Sequence, residues 1–187
     1  FSFLDLVLII GISQGFFLAL AVQLLPNKNK IANKTLSLIL IVAALALLGR
    51  VIGYRIRING LLKIGILADA TIYVFGPLLY CYIRRLTFNE ASKYKLSWFH
   101  YSPIILNIVY FIWALSYSNL ELKQMANSGQ LNIPFFIVEL GGLISIAIYW
   151  YKSIRLFVRF IHIEKQELSY NQSIVRYLLV LLITLGL

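Results

Sequence analysis

Ala68 to Thr87 reads ADATIYVFGPLLYCYIRRLT, an apolar run of helix length with an acid near its start, Gly76-Pro77 in its middle and Arg84-Arg85 at its end. At helical spacing Asp69, Tyr73, Gly76, Tyr80 and Arg84 fall on one stripe, and Ile72, Leu79 and Ile83 cover other parts of the surface. The stripe is too polar for lipid and is expected to face protein. Pro77 cannot donate to the carbonyl of Tyr73, which predicts a kink there, and Gly76 beside it permits close packing.

The rest of the chain is of the same kind. It is 60% hydrophobic and 13% charged, with a mean hydropathy of +0.83, where a soluble domain carries about a quarter charged residues. These values predict an all-α, polytopic transmembrane helix bundle whose first partner is the lipid bilayer. The net charge of +10 fits loops enriched in Lys and Arg on one side of a membrane, because no basic run interleaved with stacking aromatics marks a nucleic-acid surface. Cys81 is the one cysteine and lies within an apolar span, so neither a disulfide framework nor a CxxC metal pair is present.

About six helices are expected, over 3–25, 34–54, 62–85, 98–117, 133–159 and an incomplete 173–187. The first lacks a basic leader and exceeds a signal-peptide core, so it reads as a span ended by Pro26. Gly11 with Gly15, and Gly49 with Gly53, are small-xxx-small pairs that admit a neighbouring backbone. Residues 119–132 read as a polar connection. The fifth helix is longer than a bilayer needs, so Lys152, Arg155 and Arg159 project into water.

Orientation follows from the basic residues. Lys28, Lys30, Lys34, Arg84, Arg85, Lys93, Lys95, Lys152, Arg155, Arg159, Lys165 and Arg176 fall on one side, against Arg50, Arg55, Arg57, Lys63 and Lys123 on the other. The bias puts the N-terminus outside and makes Arg84, Arg85, Lys152, Arg155 and Arg159 a cytoplasmic basic face. Asp69 and Glu139 then lie in the outer half of the bilayer near Arg50, with Asp5 at the outer mouth of the first helix. Charges there are costly unless paired or hydrated. Two readings stay open: an outward-facing pocket for a ligand, or internal ion pairs that set helix register.

Catalysis is not expected. His100 and His162 lack a metal-binding spacing, and no phosphate loop, nucleophile elbow or carboxylate pair on one helix accompanies them. Neither cofactor nor metal is predicted. Gly141 and Gly142 after Glu139 read as a packing face.

Several pieces together carry a resemblance. FLDLVLIIGISQGFFLAL (3–20), NKNKIANKTLSLIL (27–40), FGPLLYCYIRRLT (75–87) and HYSP (100–103), in this order and spacing, resemble the N-terminal membrane region of bacterial AraC-type transcriptional regulators. Those proteins place a seven-helix membrane part before a cytoplasmic helix-turn-helix domain. The resemblance implies a sensory or anchoring region of the bacterial inner membrane, with a seventh helix and a DNA-binding domain beyond residue 187. DNA would be a partner only through that domain. Tyr177 departs from the Trp such regulators carry. From the residues alone the alternatives are an accessory or scaffold subunit, meeting other membrane proteins or a second copy through its glycine faces, and a small transporter, which lacks the paired broken helices of matching halves.

Overall fold

A computed structural model describes residues 3–24, 29–55, 61–88, 94, 96–164 and 172–186. The stop at Pro26, the turn through Arg57, Asn59 and Gly60, the loop residues Lys28, Lys93, Lys95 and Lys165, and Leu187 lie outside these. Among the described residues the secondary structure is helical, with no strand. The helices are α1 (Phe3–Leu24), α2 (Lys30–Arg50), α3 (Leu62–Ala68), α4 (Thr71–Thr87), α5 (Ile104–Leu115), α6 (Asn119–Asn127), α7 (Asn132–Glu164) and α8 (Gln172–Gly186). A π-helical turn, Val51–Arg55, extends α2, and a 3₁₀ turn, Trp98–Tyr101, precedes α5. The chain is an all-α helix bundle.

Among the described residues four stretches are long and apolar enough to cross a membrane: Asp5–Leu24, Lys30–Gly53, Leu62–Thr87 and Asn132–His162. A fifth exists if α5 and α6, bent by 112° at their junction, count as one span. Helix α8, with 15 residues, is shorter than the ~20 that span hydrocarbon. The exposed surface is apolar on helix after helix: Phe17 and Leu20 on α1, Val109 and Ile112 on α5, Phe136, Leu143 and Ile144 on α7. Such faces suit lipid contact, since water gives them nothing to bond. Half of the Leu62–Thr87 span is buried, against 11 to 28% of the other three, so the stretch quoted at the outset is the central strut.

Around it, α1 packs antiparallel on α2 where Gly15 meets Ala44 and the Ser37 hydroxyl donates to the Ala19 carbonyl at 2.7 Å. Tyr82 and Ile83 of α4 share one apolar core with Ile39 of α2, Phe157 and Phe160 of α7, and Leu178 and Leu182 of α8. A second core joins Ile66, Tyr73, Tyr110, Ala114, Leu122 and Val138.

Several element bounds differ from expectation. Helix α2 starts four residues before 34 because Asn29 caps it, its side chain accepting from the Ala32 N–H at 3.2 Å. The stretch 119–132, expected as a connection, contains α6. Its capping box has the Ser118 hydroxyl accepting from the Glu121 N–H while the Glu121 carboxylate accepts from the Ser118 N–H. Leu122 of α6 turns inward and is fully buried. Helix α5 is shorter than the expected 98–117 because the chain enters it through the 3₁₀ turn and Pro103. Helix α7 runs five residues beyond 159.

The third expected helix is interrupted, and the interruption is at Asp69–Ala70. Helix α4 runs on through Pro77. At the break the N–H groups of Ala70, Ile72 and Tyr73 turn to carbonyls three residues back, those of Leu67, Asp69 and Ala70. That tightening frees the carbonyls of Ile66 and Ala68 from their i+4 donors. Side chains take them: Asn107 Nδ2 donates to Ile66 O at 3.2 Å and Thr71 Oγ1 to Ala68 O at 2.7 Å. A local break in an apolar interior is thereby satisfied from a different helix.

Candidate functional site

The break carries Asp69, which is 2% exposed. Arg50, in the last turn of α2, reaches it with Nε 2.9 Å from Asp69 Oδ1, and with the other end of the same guanidinium places Nη2 2.8 Å from Glu139 Oε1 on α7. One cation thus ties the end of α2, the α3–α4 break and the second turn of α7. The planar fork of arginine allows this, since its Nε–H and Nη2–H donate to different carboxylates. The side chains of Arg50 and Glu139 remain 43% and 35% exposed. A cavity of about 340 Å³ opens beside the pair, lined by Arg50, Asp69 and Thr71 and otherwise by apolar groups such as Ala46, Ile72 and Phe75.

The close approach that brings these charges together rests on glycines. A Cβ at Gly49 would overlap that of Ala68, and one at Gly53 would overlap the backbone of Gly65, so α2 and its π-turn lie directly on α3. On α4, a Cβ at Gly76 would come 3.1 Å from Tyr149 of α7. Gly141 and Gly142 make room on α7 for Tyr73 and Ile72, and the Tyr73 hydroxyl donates to the Val138 carbonyl at 2.6 Å. Pro77 is buried within the same helix. Gly11 is different. Among the described residues nothing lies within 4 Å of where its Cβ would be, and α1 meets α2 through Gly15. Asp5 sits in the first turn of α1, and the ion pairs of Arg50 run to Asp69 and Glu139.

At the other end of the bundle the basic residues divide. Lys152, Arg155 and Arg159 are exposed along α7. Arg84 lies 3.8 Å from the centre of the Tyr94 ring. Arg85 departs from the expected basic face: its Nη1 donates to Thr35 Oγ1 at 2.6 Å and its Nη2 to the Tyr94 carbonyl at 2.9 Å. It is half-buried and clamps α4 to α2 and to the segment that follows α4. Its own carbonyl accepts from Asn29 Nδ2 at 2.9 Å. His100 places Nδ1 2.6 Å from the Tyr149 hydroxyl. Burial, and then the charge of Lys152, hold its pKa below the usual 6.5. His162, on the last turns of α7, is exposed.

Sequence reasoning passed over Asn107 and Tyr94. Asn107 had a signal, a lone amide in the apolar run IILNIVYFIW; Tyr94 lies in a polar loop and had none. Among the described residues no group of three or more His, Cys, Asp or Glu is placed to hold a metal.

Compared with known proteins, the chain matches no family model, no curated protein and no solved structure.

Proposed function

We propose that this chain is the membrane-embedded sensing and anchoring part of a bacterial one-component transcriptional regulator of the inner membrane. In this reading a signal at the Arg50 end passes to a cytoplasmic helix-turn-helix domain outside this sequence. The observation that supports it is the broken strut held by a shared cation. Arg50 binds the break at Asp69 and, through Glu139, α7. The two helices leaving that junction, α4 and α7, carry Arg84 and Arg85, and Lys152, Arg155 and Arg159, toward the far end. A ligand entering the adjacent cavity and competing for Arg50 would release one carboxylate and bias how α4 packs on α7.

The test uses the complete regulator in cells with a transcriptional reporter. Asp69→Asn shifts basal output by roughly tenfold, the change that about 1.4 kcal/mol of coupling produces, and Glu139→Gln shifts it in the same direction by less, both at unchanged membrane abundance. Wild-type output from both folded variants overturns the reading.

One observation favours a second reading, an accessory or scaffold subunit of a larger membrane assembly. Arg50 is already held by two carboxylates, an arrangement suited to a fixed register. Co-purification with other membrane proteins in constant ratio, together with loss of folding in the amide variants, supports that alternative.

A further inference from the structure

The cavity at the Lys152 end of α7 has a different chemistry from the one beside Arg50. Lys152, Arg155 and Arg159 stand at i, i+3 and i+7, hence on one helix face. Together with Tyr80, Tyr94 and His100 they border an open cavity of about 440 Å³. Among the described residues no carboxylate lines it and none of the three cations makes an ion pair. Like charges this close repel one another, an arrangement that becomes favourable when an anion is shared between them.

Aromatic rings on α7 flank two of the cations. The Lys152 ammonium sits 5.2 Å from the centre of the Tyr149 ring and the Arg155 guanidinium 5.6 Å from that of Tyr151. The Tyr80 hydroxyl accepts from Arg84 at 3.4 Å, which leaves its own proton to donate into the cavity. Arg84, stacked on Tyr94, adds a fourth positive charge behind the wall.

Height along the helix matters as well. From Ile133 to Lys152 a helix rises about 28 Å, close to the ~30 Å thickness of bilayer hydrocarbon. Lys152, Arg155 and Arg159 therefore climb through the headgroup layer when the apolar part of α7 spans the core. In the Arg50 cavity, by contrast, the cation is already paired with Asp69 and Glu139.

We propose that the Lys152–Arg155–Arg159 cavity binds a phosphate group, carried by an anionic lipid headgroup or by a small soluble phosphate compound. Two arginines offer paired N–H donors matched to phosphate oxygens, and the lysine adds a mobile charge. Basic pockets between membrane helices at this depth take anionic headgroups in the same way.

The test is thermal unfolding of the purified full chain in neutral detergent with phosphatidylcholine, with phosphatidylglycerol added in one arm and inorganic phosphate in the other. At about a hundredfold excess over Kd, binding raises Tm by roughly 5 °C or more. A rise with phosphatidylglycerol alone assigns the lipid, and a rise with inorganic phosphate assigns a soluble source; either supports the site, provided that Arg155→Gln/Arg159→Gln loses it while Lys30→Gln/Arg176→Gln keeps it. No rise in either arm, or an equal rise in both double variants, overturns the proposal. Transcriptional output enters none of these readouts, so the outcome is independent of the signalling reading.

Discussion

Arg50 holds two carboxylates whose burial differs, and burial sets what each is worth. Asp69 is 2% exposed and Glu139 35%, so loss of charge at Asp69 leaves a cation facing a closed protein interior, whereas Glu139 stands partly outside that interior and its loss is felt less. Asp69→Asn is expected to cost about 2 kcal/mol, below the 3–5 of a fully buried pair because Arg50 is itself 43% exposed, and Glu139→Gln under about 1. Unfolding midpoints in detergent give the order, and a larger effect at Glu139 contradicts it. His100 supplies a pH dependence. Its folded pKa lies below 6.5 through burial and the Lys152 charge, so as pH falls the unfolded chain takes up the proton first. Stability is on its plateau above about pH 6.5 and declines as pH drops through that value toward the folded pKa. Comparing Tm from pH 8 to 5 in wild type and His100→Gln should show a shallower decline in the variant. The acids and Arg50 were legible as a cluster because charges in apolar helices are few; the sharing of one guanidinium by two helices was not, since it depends on how those helices cross.

At the level of helices, contact faces decide the cost of a methyl group. Gly49→Ala and Gly53→Ala push α2 off α3 and are expected to destabilise by about 1–3 kcal/mol. Gly11→Ala meets open space and should be neutral or stabilising by up to about 1 kcal/mol through helix propensity. If all three behave alike in thermal unfolding, the glycine contacts described above are wrong. The break between α3 and α4 leans on another helix: Asn107→Ala strands the Ile66 carbonyl and should cost about 1–3 kcal/mol, read from the same curves. Both glycine pairs show the same spacing in the sequence, but spacing marks a face without naming what covers it. The α6 cap, Ser118-x-x-Glu121, was readable in the sequence. It was overlooked because the polar residues of 119–127 outweigh the single inward Leu122.

Across the whole molecule the charge asymmetry makes a prediction about sidedness. Ser128, beyond α6, and Arg159, near the end of α7, are both exposed and lie toward opposite ends of the bundle. Cysteine placed at 128 should react with an impermeant thiol reagent in intact cells, and cysteine at 159 only after the membrane is opened. Native Cys81 is buried and should stay unreacted. The reverse pattern inverts the orientation. Hydropathy and helical period determined, from the chain alone, that this is an all-α bundle of apolar spans, that the stretch 68–87 carries a stripe facing protein, and that Arg50, Asp69 and Glu139 share a level. These are properties of local composition and survive any packing. Tertiary structure alone decided that the helix breaks at Asp69, that Arg85 turns inward, and that the Cβ position of Gly11 faces open space among the described residues. The freed carbonyl at the break is bonded by Asn107, 41 residues away, and Arg85 by Thr35, 50 residues away. Partners that distant in the chain leave no trace in local periodicity, because what they satisfy exists only once the helices have met.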